Sequence, residues 1–98
     1  MVYNILFDEN ALNDIDLAIE YYELISIQVK NKFYNSLQIS LKRLSKTPHF
    51  QIRYSNIRCL PLKKFPFMLH YKLDEVTKTV LILGVINTYR NPAISYLK

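Results

Sequence analysis

The sequence predicts an α+β fold in which a two-helix hairpin packs on one face of a small, mainly antiparallel sheet. A short apolar segment at the N-terminus predicts a first strand. A long stretch without glycine or proline follows it and predicts the helices, and apolar segments bounded by prolines and polar turns fill the rest of the chain. The predicted order is β-α-α-β-β-β, and with 98 residues, 50% of them hydrophobic, we expect residues 1–98 to form a single domain.

The first half of the chain contains the strand and both helices. Residues 2–7 (VYNILF) are apolar and partly β-branched, and Asp8 offers a side-chain oxygen to cap the helix that follows. A single helix over residues 9–46 would be about 57 Å long, whereas a domain of this size has a radius of gyration of about 13 Å. We therefore expect the chain to fold back near Ser26, which can cap the second helix, and the second helix to end before Pro48.

The second half predicts three more strands, over residues 57–62, 66–73 and 78–87. Pro66 cannot donate to a sheet, so it should open its strand or lie at an edge. The last strand is almost entirely apolar, which favours a central position covered on both faces. Its Gly84 indicates either close packing against a helix or a bulge.

A helical hairpin covers only one face of a sheet. In the third predicted strand, the alternate residues Phe67, Leu69, Tyr71 and Leu73 form the better core face. The other set is Pro66, Met68, His70 and Lys72. We expect this second set to form an open, mixed surface suited to binding.

Charge divides the chain into two parts. The net charge is +5, yet the first 29 residues carry six acidic residues and no lysine or arginine, and all 13 basic residues follow. This distribution indicates a basic surface for a polyanion or an acidic protein, or only solubility and pairing between the two halves. The sequence has a single cysteine, a start unlike that of a leader, and no apolar run long enough to span a bilayer. These features predict a small soluble cytoplasmic protein without membrane contact.

The sequence contains no motif typical of a metal site or of a cofactor-binding site. His49 and His70 have no metal-ligand spacing around them, and a single glycine excludes a glycine-rich phosphate loop. Cys59 fits a small buried residue better than a nucleophile. We therefore expect neither a metal nor another cofactor. Basic residues interleaved with aromatic ones suit phosphates and unpaired bases, or simply reflect tyrosine-rich strands.

The layout resembles the RelE/ParE superfamily of type II toxin–antitoxin toxins over nearly the whole chain. The matching stretches are residues 7–12 with 14–15, 18–22, 44–48, 57–58 with 62–67, and 85–92. The resemblance implies a bacterial, growth-inhibiting toxin of the kind that stabilises plasmids, neutralised by a cognate antitoxin. We expect that antitoxin to contact the open face by adding a strand or by laying a helix in a groove.

Two mechanisms occur in this superfamily. RelE-like members cut mRNA on the ribosome with basic residues of the concave sheet face, and ParE-like members poison DNA gyrase without cutting nucleic acid. The nuclease lysines fall on Cys59 and Pro61 here, and the arginine of the third predicted strand falls on Met68. These replacements favour the ParE-like side.

Other positions keep the alternatives open. The late arginine and the C-terminal tyrosine of the nucleases match Arg90 and Tyr96, and His70 could act as a base because its unperturbed pKa is about 6.5. The candidate catalytic residues are therefore Arg90, His70 and Tyr96, and the candidate target-binding residues are Arg58, Lys63, Lys64, Tyr89 and Arg90. Whether the chain is an enzyme stays open. The expected function is a gyrase-binding toxin, with a ribosome-dependent mRNA endoribonuclease or an inactive binding module as alternatives.

Overall fold

A computed structural model of the chain describes residues 2–88. Two helices lie between the first strand and the remaining four strands. In chain order the elements are β1 (Asn4–Phe7), α1 (Glu9–Ile25), α2 (Ile27–Lys46), β2 (Ile52–Tyr54), β3 (Ile57–Pro61), β4 (Phe67–Asp74) and β5 (Thr79–Asn87). The predicted fold class, a helical hairpin on a mainly antiparallel sheet, is confirmed.

Local capping explains where the helices begin and end. The Asp8 side chain accepts a hydrogen bond from the Asn10 backbone N–H at 3.0 Å and begins α1. Ser26 lies between the helices with an extended backbone, and its Oγ accepts from the Val29 backbone N–H at 3.0 Å. The break predicted at Ser26 is confirmed, and α2 ends two residues before Pro48, as expected.

The sheet has the strand order β1-β5-β4-β3-β2, with β1 parallel to β5 and every other pair antiparallel. The sequence predicted four strands, and β2 is the one it missed. This strand has only three residues, Ile52, Arg53 and Tyr54, and its register against β3 is irregular. A segment so short gives no alternation of apolar and polar residues from which to predict a strand.

The core lies between the helices and one face of the sheet. Phe33, Leu37 and Leu44 of α2 are almost completely buried there, together with Leu69 and Tyr71 of β4. Four rings, those of Tyr22, Phe33, Phe65 and Phe67, pack with centroids 5.2–6.2 Å apart. The predicted core face of β4 is thus confirmed, with Leu73 half-buried at its end.

The central position predicted for the last strand is also confirmed, because β5 lies between β1 and β4. Only one set of its side chains is buried, however, and the other set is half-buried rather than covered. A bulge interrupts the pairing with β4 between His70 and Tyr71. Beside it, a Cβ on Gly84 would lie 3.3 Å from Asp14 Oδ2, and that oxygen accepts from the Val85 backbone N–H at 3.0 Å. Gly84 therefore marks both the bulge and the close approach of α1.

Over residues 2–88, neither helix combines the length and the apolar character needed to cross a bilayer.

Candidate functional site

The sheet face opposite the helices is closed where an open surface was expected. Met68 and His70 of β4 are each only 4% exposed, and they lie beside buried Ile57 and Cys59 of β3. Only Lys72 of the predicted set is exposed. The prediction of an open binding surface is therefore wrong for Met68 and His70. The reason is partly β2, which extends the sheet and places Tyr54 against the His70 ring, with the ring centroids 5.9 Å apart.

The His70 ring is buried, and only one of its two nitrogens makes a hydrogen bond within the described residues. Its Nδ1 shares a 2.9 Å hydrogen bond with the Tyr54 hydroxyl, whereas its Nε2 is buried and no residue within 2–88 makes a hydrogen bond to it. Burial lowers the pKa of His70, and Asp14 opposes this only in part. The ring is therefore neutral at pH 7, and in this position it is enclosed rather than presented to a substrate 2′-hydroxyl.

Cys59 lies directly opposite His70 in the register of β3 and β4. It is 4% exposed, and burial raises the pKa of its thiol despite the nearby charge of Arg53. The thiol form is a poor nucleophile. The expectation of a small buried residue is confirmed.

Arg58 supports the fold in the structure. Its Nη1 donates to the Phe50 carbonyl at 2.7 Å, and nearby the Tyr71 hydroxyl donates to the Pro48 carbonyl at 2.6 Å. Both bonds hold the segment that follows α2 against the sheet. Burial raises the pKa of Tyr71 to about 12. Arg58 is thus half-buried, and one nitrogen of its guanidinium is engaged inside the molecule.

Lys63 and Lys64 are exposed in the loop between β3 and β4. The Lys63 carbonyl accepts from Ser36 Oγ of α2 at 2.9 Å, and Lys64 has a positive φ of 71°. The loop is therefore fixed on α2, where Lys32 and Arg43 line the same groove. The sequence reasoning missed these two residues, although their spacing of eleven residues on a helix, about three turns, places them on one face.

The remaining candidates, Tyr89, Arg90 and Tyr96, lie outside the described residues. Over the range 2–88, no group of three or more His, Cys, Asp and Glu residues could hold a metal ion.

A polar cluster at the turn between β4 and β5 was also missed by the sequence reasoning. The Glu75 carboxylate accepts from the Tyr3 hydroxyl at 2.9 Å and from Lys78 Nζ at 3.2 Å, and it pairs with His49 Nε2. These hydrogen bonds, first that of His49, lower the pKa of Glu75 to about 2. The cluster ties the N-terminus and the segment after α2 to the turn, so its role is structural.

Comparison with known structures identifies the fold. No protein-family model matches the chain, and a search of curated proteins found no significant match. Among solved structures, the fold is that of the RelE and ParE toxins, as the resemblance predicted.

Three of the similar structures show how far the likeness extends. A chain of the chromosomal ParDE toxin–antitoxin system from P. aeruginosa aligns with a TM-score of 0.74 at 19% identity, covering 88% of this chain and 96% of that one. A mutant of the E. coli toxin RelE aligns with a TM-score of 0.61 at 17% identity, covering 98% and 94%. The RelBE2 toxin–antitoxin complex from Mycobacterium tuberculosis gives 0.58 at 16% identity, covering 89% and 99%.

Proposed function

We propose that the chain is the toxin of a bacterial type II toxin–antitoxin system, kept inactive by a cognate antitoxin. Its fold supports this, because the similar structures include a ParDE system and RelBE complexes. A net charge of +5 suits partners that are acidic, such as nucleoprotein machinery or an acidic antitoxin.

Within this class, the proposed action is binding to DNA gyrase rather than cutting mRNA. One observation carries this choice: Cys59, Met68 and His70 on the sheet face opposite the helices are enclosed and uncharged at pH 7. Cleavage of RNA through its 2′-hydroxyl needs an accessible base and a cation for the charge that develops on phosphorus. Three of the positions at which the resemblance would place nuclease cations, Cys59, Pro61 and Met68, supply neither, and only Arg90 keeps a cation.

The proposed contacts with the target come from the loop between β3 and β4. Lys63 and Lys64 are exposed there on a backbone that Ser36 fixes. Arg90, with Tyr89 and Tyr96, completes the proposed set on the strength of the resemblance alone. Arg58 is proposed only as a support for the fold, because its guanidinium donates a hydrogen bond to the Phe50 carbonyl.

Two assays on the purified protein test this function. One measures negative supercoiling of relaxed plasmid by gyrase, and the other maps mRNA 5′ ends by primer extension after cell-free translation. We expect supercoiling to be inhibited and mRNA to stay intact. A Lys63→Ala/Lys64→Ala variant should inhibit gyrase more weakly. Lys46→Ala/Lys72→Ala, which removes two other exposed lysines, is the matched control.

Other results would overturn the proposal in different ways. New mRNA ends at ribosome-bound codons would identify a ribosome-dependent endoribonuclease, for which Arg90→Ala and His70→Ala are the variants to assay. Growth unaffected by expression of the folded protein would leave a binding module without toxicity. A folded Arg90→Ala protein with full activity would remove Arg90 from the site.

A further inference from the structure

A groove between α2 and the loop that joins β3 to β4 combines apolar and cationic side chains. Its volume is about 620 Å³, and Val29 and Ile39 of α2 and Phe65 of the loop contribute apolar surface. The half-buried Phe65 ring packs edge-on against the rings of Tyr22 and Phe33, with centroids 5.2 and 5.4 Å away. The groove therefore contains an aromatic ring that its neighbours hold in place.

Four cations line the same groove. Lys32 and Arg43 lie on α2, and Lys63 and Lys64 lie on the loop opposite. No residue that lines the groove is acidic, and within residues 2–88 none of the four cations makes an ion pair. The Arg43 guanidinium lies over the Phe50 ring, 4.8 Å from its centroid, and this contact orients it. The groove therefore has a positive field that its own residues do not neutralise.

The backbone at Lys64 is strained. Its φ is 71°, a left-handed conformation that glycine adopts at lower cost than lysine. The preceding carbonyl, that of Lys63, accepts from Ser36 Oγ at 2.9 Å, which attaches the loop to α2 in this conformation. The chain therefore carries a cation where a residue without a side chain would be less strained, and such strain is typical of binding sites.

The dimensions of the groove favour an elongated polyanion. Lys32 and Arg43 are eleven residues apart on one helix, which separates them by about 16 Å along its axis, farther than one small anion can bridge. A nucleic-acid strand carries a phosphate on every nucleotide and can span this distance. In an unpaired strand a base is also free to stack on Phe65, whereas a duplex keeps its bases stacked inside and could use only the cations.

We propose that this groove binds a single-stranded segment of nucleic acid, with its phosphates on the four cations and a base on Phe65. The inference rests on the proposed toxin function and deepens it, because Lys63 and Lys64 then contact nucleic acid held by the target machinery. The site is separate from the sheet face on which Met68 and His70 are enclosed, and it binds the strand without cutting it.

The test measures binding of the full chain to a fluorescent single strand of about 12 nucleotides, a length within the range that single-strand sites cover. Fluorescence anisotropy over a range of salt concentrations gives the affinity and its salt dependence. The logarithm of the affinity should fall linearly with the logarithm of the salt concentration, with a slope of about −3 if all four cations contact phosphates. DNA and RNA strands of the same sequence are compared, and either preference supports the site and identifies its source.

Two double variants locate the charges that bind the strand. Lys32→Ala/Lys63→Ala removes two lysines of the groove, and Lys46→Ala/Lys72→Ala removes two exposed lysines outside it. Both change the net charge equally, and thermal unfolding checks that both fold. Near 0.1 M salt the groove variant should bind at least about tenfold more weakly, with a slope that is shallower by about 1.4. The control should keep the slope and change the affinity less than about twofold.

A second pair of variants tests the stacked base. Phe65→Leu keeps an apolar side chain but removes the aromatic face, so binding should weaken about fivefold or more while the salt slope stays the same. Tyr34→Leu removes an exposed aromatic ring of α2 that does not line the groove, and it should leave the affinity unchanged. An affinity of Phe65→Leu equal to that of the wild type would exclude stacking on this ring.

A third pair separates binding from folding at Lys64. Lys64→Gly should unfold at a higher temperature, because glycine relieves the strain, yet bind the strand about fivefold more weakly near 0.1 M salt. Lys78→Gly is the matched control, since Lys78 also has a positive φ, 53°, but pairs with Glu75 away from the groove. Its affinity should stay at the wild-type value. Unchanged binding by Lys64→Gly would contradict the role given to this lysine.

Several results would overturn the inference as a whole. Equal weakening by both double variants would show a general attraction of charges, and displacement of the strand by polyglutamate of equal charge would show a site for acidic peptides. Tighter binding of a duplex would remove the reason for a single strand. Gyrase inhibition and growth arrest are measured separately. A protein that inhibits gyrase but binds no single strand refutes the groove alone, and one that binds the strand but arrests neither refutes the toxin function alone.

Discussion

The two faces of the sheet bury residues in different ways. On the helix side, Phe33 and Leu69 meet in a core filled by apolar side chains, and the buried Tyr71 hydroxyl donates to the Pro48 carbonyl. On the opposite side, the buried His70 ring bonds to Tyr54 through Nδ1, but its Nε2 has no partner among the described residues. Burial alone therefore does not show that a face is optimised for stability.

The difference has an energetic meaning. A buried polar atom that lacks a partner costs about 1–3 kcal/mol, whereas each well-packed aromatic on the helix side contributes to folding. The helix side holds most of the buried apolar residues, and the opposite side also buries a polar group, the imidazole of His70. Substitutions on the two faces should consequently change the free energy of unfolding by different amounts, and in some cases in opposite directions.

The largest effect is expected on the helix side. Phe33→Ala removes a ring that is fully buried among Tyr22, Phe65 and Phe67. We expect the free energy of unfolding to fall by about 3–5 kcal/mol, because both the transfer energy and the packing around the cavity are lost. Urea unfolding measures it.

Leu24→Ala serves as the control for this prediction, since Leu24 is 88% exposed on α1. Its unfolding energy should stay within about 0.5 kcal/mol of the wild type. If Phe33→Ala lowers the free energy of unfolding by less than about 1 kcal/mol, the helix side does not contribute more stability than the opposite face.

The fold of the helix side could be read from the sequence because its determinants are local. Asp8 and Ser26 cap the helices with their own side chains, and the alternation of Phe67, Leu69 and Tyr71 assigns the core face of β4. Each of these signals lies within a few residues of the structure that it sets.

The opposite face could not be read in this way. The enclosure of His70 depends on Tyr54, a residue sixteen positions away in a strand too short to be predicted. The same is true of the site: Lys63 and Lys64 were predicted from their charge, but the loop's attachment to α2 depends on the contact from Ser36. Such contacts join residues that are distant in the sequence, and no periodic pattern in a single sequence reveals them.

A smaller effect is expected from the hydrogen bond between Tyr54 and His70. Tyr54→Phe leaves Nδ1 of the buried imidazole unpaired, so the free energy of unfolding should fall by about 1–2 kcal/mol. His70→Leu/Tyr54→Phe removes both partners, and its stability should lie close to that of the wild type or above it. Urea unfolding of four proteins, the wild type, Tyr54→Phe, His70→Leu and the double variant, measures the coupling between the two side chains. Additive losses in the double variant would mean that the imidazole is not an unsatisfied group.

The pH dependence should separate the two faces further. Burial lowers the pKa of His70 from 6.5, so the unfolded chain takes up a proton at a higher pH than the folded chain. Stability should therefore fall as the pH drops below about 6.5 and be retained above it. Urea midpoints of wild type and His70→Leu across this range measure the effect. An identical pH dependence in the two proteins would assign the loss to other groups.

The smallest effect is expected where β4 turns into β5, at Glu75. Hydrogen bonds from His49, Tyr3 and Lys78 lower the pKa of this exposed carboxyl from 4.5 to about 2, so its ionised form is favoured in the folded chain. Glu75→Gln should lower the urea midpoint slightly near neutral pH. The difference from wild type should shrink as the pH falls from 4.5 towards 2, because the carboxyl then becomes protonated in both states. Glu20→Gln, which removes an exposed carboxylate from α1, is the matched control. A Glu75→Gln difference that persists unchanged into acid would mean that the cluster acts through its packing and not through the charge of Glu75.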